Sequence, residues 1–286
     1  MRGFSFTDRG NAANEDFACA GPLLAGGAYG FVIDGATGLA GEPLFPGRFA
    51  TNAQWFSHTA GAALCRALEA GVPAGEALGG AVATAREELE GAAGAPLADQ
   101  DADAVPSAAL ALAVAGEKDV ELWGLGDSPL VALTRAGELV VSTDEALEAL
   151  DARVVELMVE RSAGRDLTVA ERRALVRDEV VANRRRRNAP GGYWCLDPSG
   201  AGIAHARRIT LPRAEVVAVA GMTDGLFRAF GQYGLASPAE WLPRATYFSA
   251  QLLCDRMRAL EAADARLTRF PRMKVGDDAS LFWLGA

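Results

Sequence analysis

Histidine is scarce in this chain of 286 residues: His58 and His205 are all it has, and they lie far apart. The four cysteines, Cys19, Cys65, Cys195 and Cys254, are scattered and form no C-x-x-C pair. A zinc centre built from Cys and His has too few ligands at suitable spacing. The thiols read as core or incidental groups of a reduced compartment. No apolar run approaches the roughly 18 residues of a membrane span. The opening segment, MRGFSFTDRGNAANEDF, has no apolar stretch of the signal-peptide kind. A cytoplasmic location is the expectation. Positive charge is also short: Lys and Arg number 28 against 37 Asp and Glu, a formal charge of −9. That balance argues against non-specific nucleic-acid binding and against an anionic membrane surface as main partner.

Apolar residues are plentiful, at half of the chain, enough for one large core or two modest ones. RGFSFT alternates as a strand does, and YGFVID is nearly all apolar. RFATNAQWFSHTAGAALCRALEAG carries helical spacing up to Gly71, and PAGEALGGAVATAREELEGAAG reads as a second helix. SAALALAVAG, DVELWGLGDS, PLVALTRAG and ELVVST then follow as strands of an antiparallel meander. Residues 144–188 turn helical and end in NRRRRN. AHARRITLP and EVVAVAG are strands. SPAEWLPRATYFSAQLLCDRMRALEAADARL reads as one long helix with Ser237 as N-cap and Pro238 at its first position. ASLFWLG closes the chain as a strand. Consecutive strands and paired helices favour antiparallel sheets covered by helices over a parallel doubly wound sheet. The expected organisation is a single domain over residues 1–286.

Aspartates recur where apolar strands end. FVIDGATG places Asp34 and Gly35 at a strand exit, and LWGLGDSPLVAL places Asp127 between two strands. VAGMTDGLF carries Asp224 and Gly225, KVGDDASLFWL carries Asp277 and Asp278, and NEDF carries Asn14, Glu15 and Asp16. Any one of these alone is a common turn. Together, should the strand ends converge, they make a carboxylate cluster. Two unit charges about 4 Å apart repel by about 4 kcal/mol at an effective dielectric near 20, so the cluster needs protons or cations. Oxygen ligands without His or Cys suit hard cations, Mg²⁺ or Mn²⁺. Glycine beside the aspartate lets backbone approach closely. Turn and metal ligand both remain open on this pattern.

The ordered series NED, VIDGATG, PSAALALAV, GDSPLVAL, MTDGLF and DDASLF resembles the motifs of the metal-dependent, type 2C Ser/Thr protein phosphatases, across nearly the whole chain. The resemblance implies a four-layer α-β-β-α sandwich, two antiparallel sheets flanked by helices, with a two-metal site at one sheet edge and a third, weaker metal in some members. It implies that Asp34 bridges the two ions, that the Gly35 carbonyl binds one of them, and that Asp224 and Asp277 bind the other. Glu15 and Asp16 match the family's acidic pair, and Asp127 the aspartate that shares the third ion with Asp224. Asp34 and Asp224 would then be the catalytic residues, with Mg²⁺ or Mn²⁺ as cofactor and a phosphorylated protein as substrate. The implied chemistry is in-line attack of a metal-activated water on a phosphomonoester. No reactive Cys or Ser-His pair is needed for it.

Several positions depart from the family pattern. Its phosphate-gripping arginine, five residues before the acidic-pair aspartate, is Asn11 here, with Arg9 nearby. The histidine that some members carry after the Asp-Gly is Ala36, the arginine of the GDS turn is Pro129, and the asparagine after the last metal aspartate is Asp278. A variable flap is expected at about 144–208. It carries Arg184, Arg185, Arg186 and Arg187, either a solvated helix end or a replacement grip on phosphate, for which the planar guanidinium fork is suited. Arg9, Asn11, Arg184 and Arg187 are the candidate substrate-binding residues. Tyr193 and Trp194 read as substrate wall or as core, and both histidines as structural. A catalytically weak phosphatase-like binding module and a phosphatase of small metabolites stand as alternatives to a phosphoserine/phosphothreonine phosphatase.

Overall fold

A computed structural model describes residues 1–36 and 39–285. Thr37 and Gly38, the tail of the FVIDGATG motif, lie outside the described residues, as does Ala286. Among the described residues are ten strands: β1 (Arg2–Asp8), β2 (Asp16–Pro22), β3 (Ala28–Ala36), β4 (Ser107–Ala115), β5 (Asp119–Leu125), β6 (Leu130–Thr134), β7 (Leu139–Ser142), β8 (Arg207–Pro212), β9 (Val216–Met222) and β10 (Ala279–Gly285). They form two five-stranded sheets, ordered β1-β10-β9-β6-β7 and β2-β3-β4-β5-β8, with every neighbouring pair antiparallel. Helices α1 (Asn52–Glu69) and α2 (Ala74–Ala93) follow β3, and α3 (Glu145–Ser162), α4 (Val169–Ala174) and α5 (Arg177–Arg184) lie between β7 and β8. The short α6 (Asp224–Phe227) leaves β9, and α7 (Pro238–Trp241) and α8 (Tyr247–Ala263) precede β10.

The period-two alternation of the strands divides the apolar residues into separate cores. On β3, Tyr29, Phe31 and Ile33 pack with Trp55, Phe56 and Leu64 of α1 and Leu78 and Leu89 of α2. Val32, facing the other way, packs with Ala111 and Ala113 of β4 and with Leu130, Val219 and Phe282 of the second sheet. On β10, Leu281 and Trp283 turn outward to Leu253 and Met257 of α8. Three stacked cores between four layers are the α-β-β-α sandwich that the sequence leads one to expect. The sheets approach closely because Gly30 and Gly221 face the Phe282 ring, where an added Cβ would stand 2.4 and 2.3 Å from ring carbons.

One helical expectation changes. The long helix expected from Ser237 onward is broken: α7 ends at Trp241, and Leu242–Arg244 form a 3-10 turn. Pro243 cannot donate a backbone hydrogen bond, and its ring crowds the preceding turn. Thr246 then starts α8 afresh with a capping box to Ser249. Ser237 sits at the N-cap position before Pro238, but its side chain makes no capping hydrogen bond. Residues 144–188, expected to be helical, hold three helices, with Asp144 capping α3 and Thr168 forming a capping box with Glu171 at α4. These helices have a small core of their own, Val154, Met158 and Val176, against which Met273 packs. Arg207 and Arg208, at the end of the expected flap, belong to β8.

Candidate functional site

Strand direction brings the aspartates together. β3 and β5 run the same way across β4, so Asp34 near the end of β3 and Asp127 just past β5 lie at one end of their sheet. β2 starts at that end, and Asp16, its first residue, stands directly opposite Asp34 in register. In the other sheet β9 exits where β10 begins, which places Asp224 beside Asp277 and Asp278. Two glycines permit the turns to nest. A Cβ on Gly35 would meet the Glu15 carbonyl oxygen at 2.5 Å, and one on Gly225 the Asp278 carbonyl oxygen at 2.0 Å. Both positions thus serve chain-to-chain packing.

The electrostatics follow from this convergence. Burial, then Asp16, Asp224, Asp277 and Asp127, push the Asp34 carboxyl well above the usual carboxylate range. Burial also pushes Asp16 up to about 8, with Asp278 and Asp277 adding to it while hydrogen bonds from Ser280 and Thr223 oppose it. Thr223 Oγ1 donates to Asp16 Oδ2 at 3.0 Å and accepts from the Ser280 amide, which fixes the Asp16 side chain between the two sheets. Asp127 is raised to about 8 by burial and by Asp224 and Asp151. Asp151, on α3, is raised to about 6 by burial and by Asp224. Asp127, Asp151, Asp224 and Glu148 share a cleft of about 220 Å³ with Arg228.

Two cations enter the cluster that the strand-end pattern did not reveal. Arg228 lies one helical turn after Asp224, so its guanidinium folds back onto Asp224 Oδ2 at 2.7 Å and reaches Asp277 Oδ2 at 3.4 Å. Lys274 Nζ is 2.8 Å from Asp277 Oδ1. Asn11 Nδ2 donates to that same oxygen at 2.9 Å. Burial raises the Asp277 carboxyl, but Lys274 and Arg228 outweigh it and the net shift is downward. Sequence spacing carried the signal for both cations: four residues after Asp224 and three before Asp277. Asp151 had no comparable signal, because only packing of α3 brings it near. Asp278 anchors a loop. Its carboxylate accepts the backbone N–H groups of Gly10, Asn11 and Glu15, and so fixes the β1–β2 connection against the site.

The remaining candidates divide. Glu15 Oε1 accepts from Thr51 Oγ1 at 2.6 Å at the start of α1, and the Glu15 carbonyl accepts from Gly35 N and Ser57 Oγ. Arg184 is close enough to Asp127 and Asp151 to oppose, without reversing, the rise in both carboxyls. It lines a cavity of about 150 Å³ with Leu39, Asp103, Arg185 and Arg187. Arg187 is a latch: its guanidinium donates to the carbonyls of Val105 and Ala102. Arg185 pairs with Asp103 at 2.6 Å. Arg9 is exposed, with Nη1 3.5 Å from the Ala12 carbonyl. Tyr193 is buried and Trp194 stacks on His205 at 3.5 Å, the core reading of that pair. His58 packs its ring edge against Phe17 and Phe49, and burial lowers its pKa. Cys19 and Cys65 meet at 2.7 Å across β2 and α1, a proximity that their sequence separation hid.

Among the described residues, no group of three acidic, His or Cys side chains closes around one point as a bound ion requires. The Asp34 end nevertheless suits a hard divalent cation. Its donors are all oxygen, they repel one another, and no described residue donates a hydrogen bond to the Asp34 carboxylate. The Asp277 end differs, because its oxygens are already taken up by Asn11, Lys274 and Arg228.

Comparison with known proteins agrees with this arrangement. A family profile described as Protein phosphatase 2C matches residues 8–270. No curated protein matches. Among solved structures, the serine/threonine phosphatase Stp1 from Staphylococcus aureus superposes with a TM-score of 0.57 at 13% identity, covering 100% of this chain and 95% of that one. The Mycobacterium tuberculosis serine/threonine phosphatase PstP/Ppp gives 0.55 at 15% identity, covering 99% and 97%. A PstP catalytic domain in complex with two manganese ions gives 0.55 at 18% identity, covering 99% and 96%. These likenesses share the two-sheet, helix-flanked fold.

Proposed function

This chain belongs to the protein phosphatase 2C family of metal-dependent protein phosphatases, and from that premise we propose that it hydrolyses phosphoserine and phosphothreonine monoesters in protein substrates at the Asp16–Asp34–Asp127–Asp224 cluster. The observation that carries the reading is the register opposition of Asp16 and Asp34, with Asp127 and Asp224 turned into the same end of the sandwich. Like charges placed directly opposite across two strands are destabilising without a compensating cation.

Mg²⁺ or Mn²⁺, when bound, supplies a water of lowered pKa and neutralises phosphoryl charge. Asp34 and Asp224 are the carboxylates proposed to hold it, with the Gly35 carbonyl, Asp16 and Asp127 around them and Glu15 at the α1 side. The chain's own residues do the positioning. Thr223 holds the Asp16 carboxylate in place. Arg184, whose charge acts on Asp127 and Asp151, is the flap residue proposed to meet a phosphoryl oxygen. Arg187 and Arg185 tie the end of the flap to residues 102–105, which keeps Arg184 in position. Arg9 and Arg187 are therefore weaker candidates for the grip than Arg184. Asn11 acts on Asp277. No helix of the described residues is long and apolar enough to cross a membrane, which accords with a proposed cytoplasmic site of action.

The test is hydrolysis of p-nitrophenyl phosphate and of a phosphothreonine peptide by the wild type, Asp34→Asn and Asp224→Asn, with Mn²⁺, with Mg²⁺ and with EDTA. Metal-dependent turnover that both substitutions abolish supports the reading. Undiminished turnover in the two variants would overturn the assignment of the site.

A further inference from the structure

The acidic cluster already contains two protein cations, and their placement is unequal. Asp277 Oδ1 accepts from Lys274 Nζ at 2.8 Å, from Asn11 Nδ2 at 2.9 Å and from the Asp278 amide at 3.2 Å. Its Oδ2 faces Arg228 Nη2 at 3.4 Å. A carboxylate has about four lone-pair sites, so few are left for any further ligand. Asp224 has one oxygen on Arg228. At the other end, Asp34 has no hydrogen bond from a described residue, and Lys274 acts on it only through space, its ion pair being with Asp277.

Arg228 and Lys274 are themselves held in place. Arg228 is fixed by the turn of α6, where its amide bonds to the Asp224 carbonyl at 3.2 Å, and its side chain is only 19% exposed. Lys274 follows Met273, which packs on the small core of α3 and α5. Guanidinium carries its charge at any physiological pH and bonds carboxylates through a planar fork, so Arg228 is a permanent positive charge at this position.

We propose that Arg228 and Lys274 are resident counterions that occupy Asp277 and one oxygen of Asp224, leaving room for a single divalent cation, between Asp34 and the other Asp224 oxygen. The proposal rests on the divalent-cation reading given above. In it Asp277 is a salt-bridge residue that neutralises Lys274 and Arg228 rather than a metal ligand. The flap helices, through Met273, then set where Lys274 stands and so how the site is charged.

Mn²⁺ titration of the metal-stripped full chain, by calorimetry and by the electron paramagnetic resonance of free Mn²⁺, tests this. The wild type is expected to take up one ion. Asp277→Asn should leave that affinity unchanged within about a factor of three, whereas loss of a true ligand or its orienting partner costs about tenfold or more. Arg228→Gln combined with Lys274→Met should create a second binding event, and Arg228→Lys alone should stay at one. Circular dichroism on each variant identifies any that is unfolded, and Asp277→Asn with Arg228→Lys decides the matter if the double variant fails to fold. Two ions on the wild type, a tenfold loss in Asp277→Asn, or a folded double variant still taking one ion would overturn the proposal. Hydrolysis of p-nitrophenyl phosphate in the same samples separates the two claims. Two ions with turnover removes the counterion proposal and keeps the phosphatase reading. One ion without turnover does the reverse. No ion in any sample overturns both.

Discussion

Substituting Asp16 by asparagine should stabilise the metal-free protein, and by more at alkaline than at mildly acidic pH. Asp16 and Asp34 face each other across β2 and β3, a geometry that sets Cβ atoms about 5 Å apart. At an effective dielectric near 20, two charges at about 5 Å repel by about 3 kcal/mol. Asparagine keeps an oxygen to accept from Thr223 Oγ1 and offers an amide to Asp34, so packing is preserved. The sign follows from the raised carboxyls. Asp16 in the folded protein holds its proton up to about 8, while the unfolded chain releases it near 3.8. Between those values the folded state binds more protons than the unfolded one, so stability falls as pH rises through the window. At pH 5.5 the unfolded chain has already released this proton while the folded Asp16 keeps it, so asparagine avoids only the part of the loss between 3.8 and 5.5. At pH 8.5 asparagine avoids the whole of it, about 2.5 pH units more at about 1.4 kcal/mol each, or about 3 kcal/mol, whose largest cause is burial of the Asp16 charge. With about 2.1 cal/mol/K of unfolding entropy per residue over 286 residues, about 3 kcal/mol corresponds to about 5 °C in Tm. Thermal melts of wild type and Asp16→Asn in EDTA at the two pH values measure it. An equal shift at both pH values, or a lower Tm for the variant at pH 8.5, would refute the electrostatic reasoning.

Other expectations follow from the same geometry. Mn²⁺ should raise the wild-type Tm more at pH 8.5 than at pH 5.5, because protons compete for the Asp34 and Asp16 carboxylates at the lower value; parallel melts with and without the ion check this. Arg184→Ala should raise KM for a phosphopeptide about tenfold with little change in kcat, the loss of one charge-assisted hydrogen bond, in steady-state assays. Arg187→Ala should cost about 2 kcal/mol in urea melts, through its two carbonyl bonds to residues 102 and 105, without altering Mn²⁺ affinity. Phe282→Ala should cost about 3–5 kcal/mol in the same melts, because the ring fills the space between Gly30 and Gly221 where the two sheets meet.

Much of this protein was written locally. The alternation in RGFSFT and the apolar runs YGFVID and ASLFWLG assigned strands, and the ordered NED, VIDG, GDS, TDG and DDAS motifs marked strand ends that carry acid. Those features are short-range, since backbone period and turn chemistry are set by neighbouring residues. Tertiary structure decided whether the acids meet. Asp16 and Asp34 stand 18 residues apart in sequence but opposite in register, and Asp224 joins them only because β9 and β3 end on the same side of a two-sheet stack. It also decided what else enters the cluster. Arg228 and Lys274 were visible as spacings to Asp224 and Asp277, but a helical turn points a side chain inward only when packing gives it nowhere else to go. Asp278 was read as one more negative charge; three backbone N–H groups from residues 10–15 make it an anchor. Pro243 within a helical pattern and Arg187 within a basic run tell the same story. Local sequence states which conformations and charges are available, and contacts between segments distant in the chain select which of them the site uses.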